Sequence, residues 1–228
     1  MGHILVVIMM VVISSFARVE ANMITNGDFA NCQFLGWQTD TDGNVGSDAD
    51  FSMVNQNGNC AAQIRADYDD TDVFFANTLY QSLHFTSAPD TGFLLRMELD
   101  ALSASTQSDA GFIADMFFVA INDGQGHLMD GSGNAGFLLA PTEINGARSY
   151  DIAFWLSPLF AVSSNWYLDI QLLIGTDVNG LSDFSGSTLR IDNVSLTPFR
   201  QISAPSCMGI LLLSGLVFAR FLLSKRSD

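Results

Sequence analysis

The residues of this chain with covalent or metal chemistry to offer are three cysteines, three histidines and 24 acids. His84 and His127 are far apart, and neither has the Cys/His neighbours at the spacing a zinc site needs. No Gly-x-Ser-x-Gly elbow occurs, and the glycine-rich stretch from Asp123 to Gly136 lacks the Lys-Ser/Thr of a phosphate loop. Between Asn22 and Ser206 the only glutamates are Glu98 and Glu143, so a carboxylate pair for glycoside hydrolysis would have to come from aspartates. Nothing in their spacing singles out such a pair. The acid run Asp67, Asp69, Asp70 and Asp72 lacks the Gly and Glu of a calcium-binding EF-hand loop and reads as solvated. The expectation is a protein without a catalytic centre.

Charge narrows the partners. All the acids except Glu20 and Asp228, 22 of 24, lie between Asn22 and Ser206. Only 5 of the 9 bases lie there, the others being Arg18, Arg220, Lys225 and Arg226, so this region is near −17 and has no lysine. A surface of that sign repels phosphate, which argues against nucleic acid and against anionic lipid headgroups.

The elements that would position any site lie between two hydrophobic ends. Ile4 to Ile13 is an unbroken apolar run, too short to span a bilayer comfortably. It is followed by Val19-Glu20-Ala21, which has the small residues that a signal peptidase accepts. Residues 1–21 therefore read as a signal peptide cleaved between Ala21 and Asn22. Residues 22–199 read as one domain. A linker, 200–206, contains Ala204-Pro205-Ser206, and residues 207–228 form a hydrophobic helix ending in Arg220, Lys225 and Arg226. Cations on the last turn would hold that end on the cytoplasmic side of a membrane.

Within 22–199 the hydrophobic period is two. Phe93, Leu95, Met97, Leu99 and Ala101 alternate with Arg96, Glu98 and Asp100. Tyr150, Ile152, Phe154 and Leu156 alternate with Ser149, Asp151, Ala153 and Trp155. Trp166, Leu168, Ile170 and Leu172 alternate with Tyr167, Asp169 and Gln171. Gly111 to Ile121 is apolar on both faces and reads as one central strand. Gly/Asn/Asp/Ser clusters such as Asp130-Gly131-Ser132-Gly133-Asn134 separate the runs, as turns do. The predicted fold is all-β, a jelly-roll β-sandwich, with a helix at each end of the chain.

Two resemblances follow from particular residues. The proline of Ala204-Pro205-Ser206, the hydrophobic run from Cys207 and the basic residues Arg220, Lys225 and Arg226 together resemble a PEP-CTERM sorting signal. That resemblance implies an exosortase as processing partner, transient residence in the inner membrane through the tail, and delivery to the cell surface. An ordinary C-terminal membrane anchor is the alternative. The second resemblance rests on four segments, Asn22 to Phe29 with Gly36-Trp37, Gly58 to Ile64, Leu79 to Leu83, and Leu189 to Leu196. In that order they are similar to the motifs of carbohydrate-binding modules with a galactose-binding-like jelly roll.

The second resemblance implies a structural calcium between the N-terminal segment and the closing strand. Asp192 matches the family's closing aspartate. Ala30 stands where the family has Glu, which leaves Asp28 as the nearby acid. Phe29 and Trp37 would plug one end of the sandwich, and Gly27 would supply a positive φ in the opening turn. Cys32 and Cys60 each lie beside one of these motifs. In an oxidising compartment they form a disulfide; two buried free thiols are the alternative.

Two functions of different class remain. One is a surface or extracellular-matrix protein in which the sandwich is a soluble structural unit. The other is a module that binds extracellular polysaccharide through aromatic side chains on mixed strand faces, with Trp155, Tyr167 and Tyr80 as the candidates.

Overall fold

The computed structural model describes residues 22–56, 58–66, 75–85, 92–103, 112–162, 165–177 and 186–199. The signal segment to Ala21, the acid run 67–72, and Ala204, Pro205, Ser206, Arg220, Lys225 and Arg226 lie outside the described residues.

Strands β1 (Gln38–Thr41), β2 (Asn44–Val45), β3 (Phe51–Gln56), β4 (Asn59–Ala66) and β5 (Ala76–Leu83) come first. They are followed by β6 (Phe93–Ser103), β7 (Phe112–Ile113), β8 (Met116–Asn122), β9 (Leu128–Met129) and β10 (Leu139–Glu143). The last are β11 (Ala147–Leu156), β12 (Trp166–Leu173), β13 (Thr176–Asp177) and β14 (Ser187–Pro198), with a 3₁₀ turn at Pro158–Val162 after β11. Among the described residues no helix is long and apolar enough to cross a membrane.

One sheet has seven strands in the order β10-β8-β12-β5-β1-β2, with β9 paired to β8. The other has five, in the order β11-β6-β14-β4-β3, and β13 pairs separately with β7. Among the described residues every pairing is antiparallel. The chain crosses repeatedly between the sheets, with β4 in the second, β5 in the first, β6 in the second, β8 in the first, β11 in the second, β12 in the first and β14 in the second. This is the jelly-roll β-sandwich that the alternation predicts.

The inward faces follow the same parity rule. Phe93, Leu95, Met97, Leu99 and Ala101 of β6 are all buried, while Arg96, Glu98 and Asp100 between them are exposed. Across the interface Leu79 and Leu83 of β5, Val119 and Ile121 of β8, and Leu168, Ile170 and Leu172 of β12 complete one core. Each such side chain contributes on the order of 1.5–3 kcal/mol by leaving water, so a truncation here would unfold much of a marginally stable domain.

Two local expectations need correction. Gly111 to Ile121 is not one strand: β7 stops at Ile113 and β8 begins at Met116. The interruption is set by Asp115, which is buried and takes loop partners instead of a ladder. Its Oδ1 accepts from the Gly175 N–H at 2.6 Å, and its carbonyl accepts from Ile144 N–H at 2.8 Å. The remaining piece, β8, is central and buried on both sides, with Phe118 on the outer face covered edge-on by Phe137 at 5.0 Å.

Gly27 also has a different reason for being glycine. The positive φ falls on Asn26, at 51°, and not on Gly27. What excludes a side chain at 27 is proximity, because a Cβ there would stand 1.9 Å from the Val194 carbonyl oxygen. That approach stitches the opening segment to β14. Met23 N–H donates to the Leu196 carbonyl at 2.8 Å, Val194 N–H to Gly27 at 2.9 Å, and Leu196 N–H to Asn22 Oδ1 at 2.8 Å. Phe29 and Trp37 then close the end of the core as a tilted pair 5.5 Å apart, both buried. The indole N–H of Trp37 donates to the Asn26 carbonyl. Cys32 and Cys60 are bonded to each other with Cα atoms 5.3 Å apart, which ties this segment to β4.

Candidate functional site

One face of the seven-stranded sheet packs on the core; the other is covered by Phe137 over Phe118 but open where β1, β5 and β12 adjoin, and that stretch can carry a site. Registers decide what meets there. Gln38 of β1 lies opposite Tyr80 of β5, and Tyr80 opposite Asp169 of β12. One step along, Asp40 lies opposite Thr78, and Thr78 opposite Gln171. One step the other way, Tyr167 lies opposite Asn122 of β8. These side chains share a face because strand side chains alternate with period two.

Together they line a groove of about 400 Å³, and Gly124 and Gly126 of the β8–β9 turn form its wall. Gly124 suits this turn because its φ is +77°, and a Cβ there would crowd the Tyr167 ring at 3.2 Å. Asn122 Oδ1 accepts from the Gly124 N–H at 2.8 Å and holds the turn in place.

The rings of Tyr80 and Tyr167 meet edge-on, 6.0 Å between centroids. The Tyr80 hydroxyl donates to Gln38 Oε1 at 2.9 Å, and both rings remain partly exposed to the groove. Burial, and then the charges of Asp40, Tyr167 and Asp169, push the Tyr80 phenol above its ordinary range.

Asp169 is the unusual member. It is only 4% exposed, although it stands on the polar face. Burial pushes its carboxyl up to about 6, against the pull of the Asn122 hydrogen bond, and Asp40 adds to the rise. Asn122 Nδ2 donates to Asp169 Oδ2 at 2.8 Å, and Oδ1 has no protein partner among the described residues. Such an arrangement can accept a hydrogen bond or a cation from a ligand, while the tyrosine faces offer apolar contact.

The structure brings Tyr80 and Tyr167 together and places Trp155 elsewhere. Trp155 is on β11, at the edge of the other sheet, 47% exposed and close to Gly92. Sequence reasoning left out Gln38, Asp40, Thr78, Asn122, Asp169 and Gln171. The available signal was the Tyr167-x-Asp169-x-Gln171 alternation, a polar row on a strand whose other row is wholly apolar.

Asp28 and Asp192 are placed at the stitched end. Asp28 is exposed and lines a second hollow with Asn22, Asn26 and Asn193; Asp192 is not among the residues that line it. Asp192 is buried, with Oδ2 accepting from Asn59 Nδ2 at 2.9 Å and Oδ1 from the Asn193 N–H at 2.8 Å. Arg190 approaches the same carboxylate at 3.6 Å. The hollow thus offers a calcium one carboxylate where the resemblance implies two, and a calcium needs six to eight oxygens. Among the described residues no three His, Cys, Asp or Glu side chains converge.

No protein-family model matches the chain, and no curated protein matches it. Among solved structures it is similar to the module CBM27-1 of Caldicellulosiruptor saccharolyticus, solved with mannohexaose. The identity is 13% and the TM-score 0.47, over 81% of this chain and all of that one. A second likeness is to a CBM28 module specific for non-crystalline cellulose, at 13% identity and TM-score 0.45, over 78% of this chain and 96% of that one. A third is to the enzymatically active domain of bacteriophage CBA120 tailspike protein 4, at 12% identity and TM-score 0.42. This chain, matched over 78% of its length, spans only 21% of that one. At these scores the likenesses carry no argument about the groove.

Proposed function

We propose that the chain is an exported, non-catalytic protein that binds polysaccharide in the groove of the seven-stranded sheet. The observation that carries this is the convergence of Tyr80 and Tyr167 with Asp40, Asp169, Asn122 and Gln171 on one open face. Glycans present just these needs, with apolar ring faces for aromatics and hydroxyls for fixed acceptors and amides. Export is supported by the Ala21/Asn22 site, the disulfide and the tail. In this reading an exosortase or a plain membrane anchor handles the tail.

Affinity electrophoresis on a panel of polysaccharides tests the proposal. Tyr80→Ala and Tyr167→Ala are expected to abolish most retardation, since an aromatic contact of this kind contributes roughly 0.5–1.5 kcal/mol beyond its buried area. Trp155→Ala should leave retardation unchanged. Loss of binding in the Trp155 variant alone would move the site to the other sheet. No retardation of the wild type by any polysaccharide would return the domain to a structural role.

A further inference from the structure

Charge is divided between the two sheets. All the arginines among the described residues stand on the five-stranded sheet, Arg65 on β4, Arg96 on β6, Arg148 on β11 and Arg190 on β14. The strands of the seven-stranded sheet carry no lysine, arginine or histidine; their charged residues are Asp40, Glu143 and Asp169. Two of those three line the groove, two strands and two residues apart, roughly 12 Å between Cα atoms by strand geometry. His127, in the loop that forms the wall, is 69% exposed and turned onto Asp123 at 2.8 Å.

We infer that the groove is selective for a polysaccharide carrying protonated amino groups, a polymer of amino sugars with free amines, with Asp169 and Asp40 as the groups that receive them. The inference rests on the glycan-binding reading above and names its ligand. A uronic acid or sulfated polymer would meet two carboxylates and, among the described residues that line the groove, no counter-charge. A neutral sugar can offer Asp169 Oδ1 only an uncharged hydroxyl donor, so the carboxylate's charge loses water as the ligand covers it and gains no opposite charge in return. An ammonium group reverses that cost, because it forms a charge-assisted bond to Oδ1 and is attracted to the adjacent tyrosine faces. The groups facing Asp169 favour the same ligand. Tyr80 comes from β5, Asp40 from β1 beyond it and Tyr167 from β12, while β8 contributes Ala120 and Asn122, so none of the described residues facing Asp169 supplies a competing cation.

A pair of probes differing only in the amine isolates the effect. Isothermal titration of the exported protein with a glucosamine hexamer and with its fully N-acetylated counterpart should show the free amine binding about tenfold tighter or more. That is the factor expected when a neutral hydrogen bond is replaced by a charged one. Asp169→Asn and Asp40→Asn should bring the ratio toward one. Asp151→Asn, which removes the same charge from the exposed face of β11, should leave it intact. Equal or tighter binding of the acetylated oligomer overturns the amine selectivity and leaves a neutral-glycan groove. An equal loss in Asp151→Asn overturns it as well, by showing attraction to bulk charge. Failure of both oligomers while another polysaccharide of the panel binds refutes the inference alone, and failure of every polysaccharide refutes the binding reading with it.

Discussion

Replacing Asp169 by Asn should make the domain more stable, and the gain should depend on pH in a way that identifies its cause. Burial pushes the folded carboxyl up to about 6 from an ordinary value of 3.8, which corresponds to about 3 kcal/mol. The sign follows from proton binding. Between the two values the folded state holds a proton that the unfolded state has lost, so stability falls as pH rises through that window. Above it the full cost is present. At pH 7.5 the ionised carboxylate costs about 3 kcal/mol, and by pH 4.5 about 1 kcal/mol remains. An asparagine carries no such cost and keeps an oxygen for the Asn122 amide. Thermal unfolding across this range should give the variant a Tm roughly 6–12 °C higher at pH 7.5, converging toward the wild type in acid. A lower Tm at pH 7.5, or a gain that does not change with pH, would refute the reasoning. The result bears on function, since a buried acid that costs stability and reaches a groove is what a binding site retains and a purely structural unit need not.

Two further outcomes follow from the stitched end. Reducing the Cys32–Cys60 bond, whose residues are 28 apart in sequence, or mutating both to Ser, should lower unfolding free energy by about 3–4 kcal/mol on the chain-entropy estimate. Denaturant titration with and without reductant measures it. Gly27→Ala should destabilise by several kcal/mol, because Val194 and its carbonyl must move to admit the methyl group, whereas Gly43→Ala, with open space around it, should cost only the strain of its +87° φ.

The faces of individual strands were legible in the sequence, and the composition of the groove was not. The period of two in β6 and β12 placed Met97 and Ile170 inward and Asp169 outward from residue types alone. What it could not supply is register. Gln38, Tyr80 and Asp169 are more than a hundred residues apart end to end and become neighbours only through two antiparallel ladders. For the same reason Trp155 and Tyr167 looked equivalent: both alternate with apolar residues, and only topology assigns them to different sheets. Asp115 was invisible inside an apolar run because its partners, Gly175 and Ile144, are brought to it by distant turns. The opening motif announces an unusual φ at Gly27 but not the approach of Val194 in β14, 167 residues away, which is what excludes a side chain there.

The seam between the opening segment and β14 also has a mechanical meaning. If the domain is tethered and pulled by its N-terminal end, the hydrogen bonds that join Asn22 and Met23 to Leu196, then Thr25 to Gln81, then Gly27 to Val194, carry the load one after another. Such a seam peels at low force because its bonds break singly. Peeling cannot run past Cys32, where the chain is covalently fastened to Cys60 in β4. Before that point tension also reaches the groove sheet, because Gln81 of β5 accepts from the Thr25 N–H at 2.7 Å and donates to the Thr25 carbonyl at 2.9 Å, so the seam loads both sheets, one through hydrogen bonds and the other through a covalent bond.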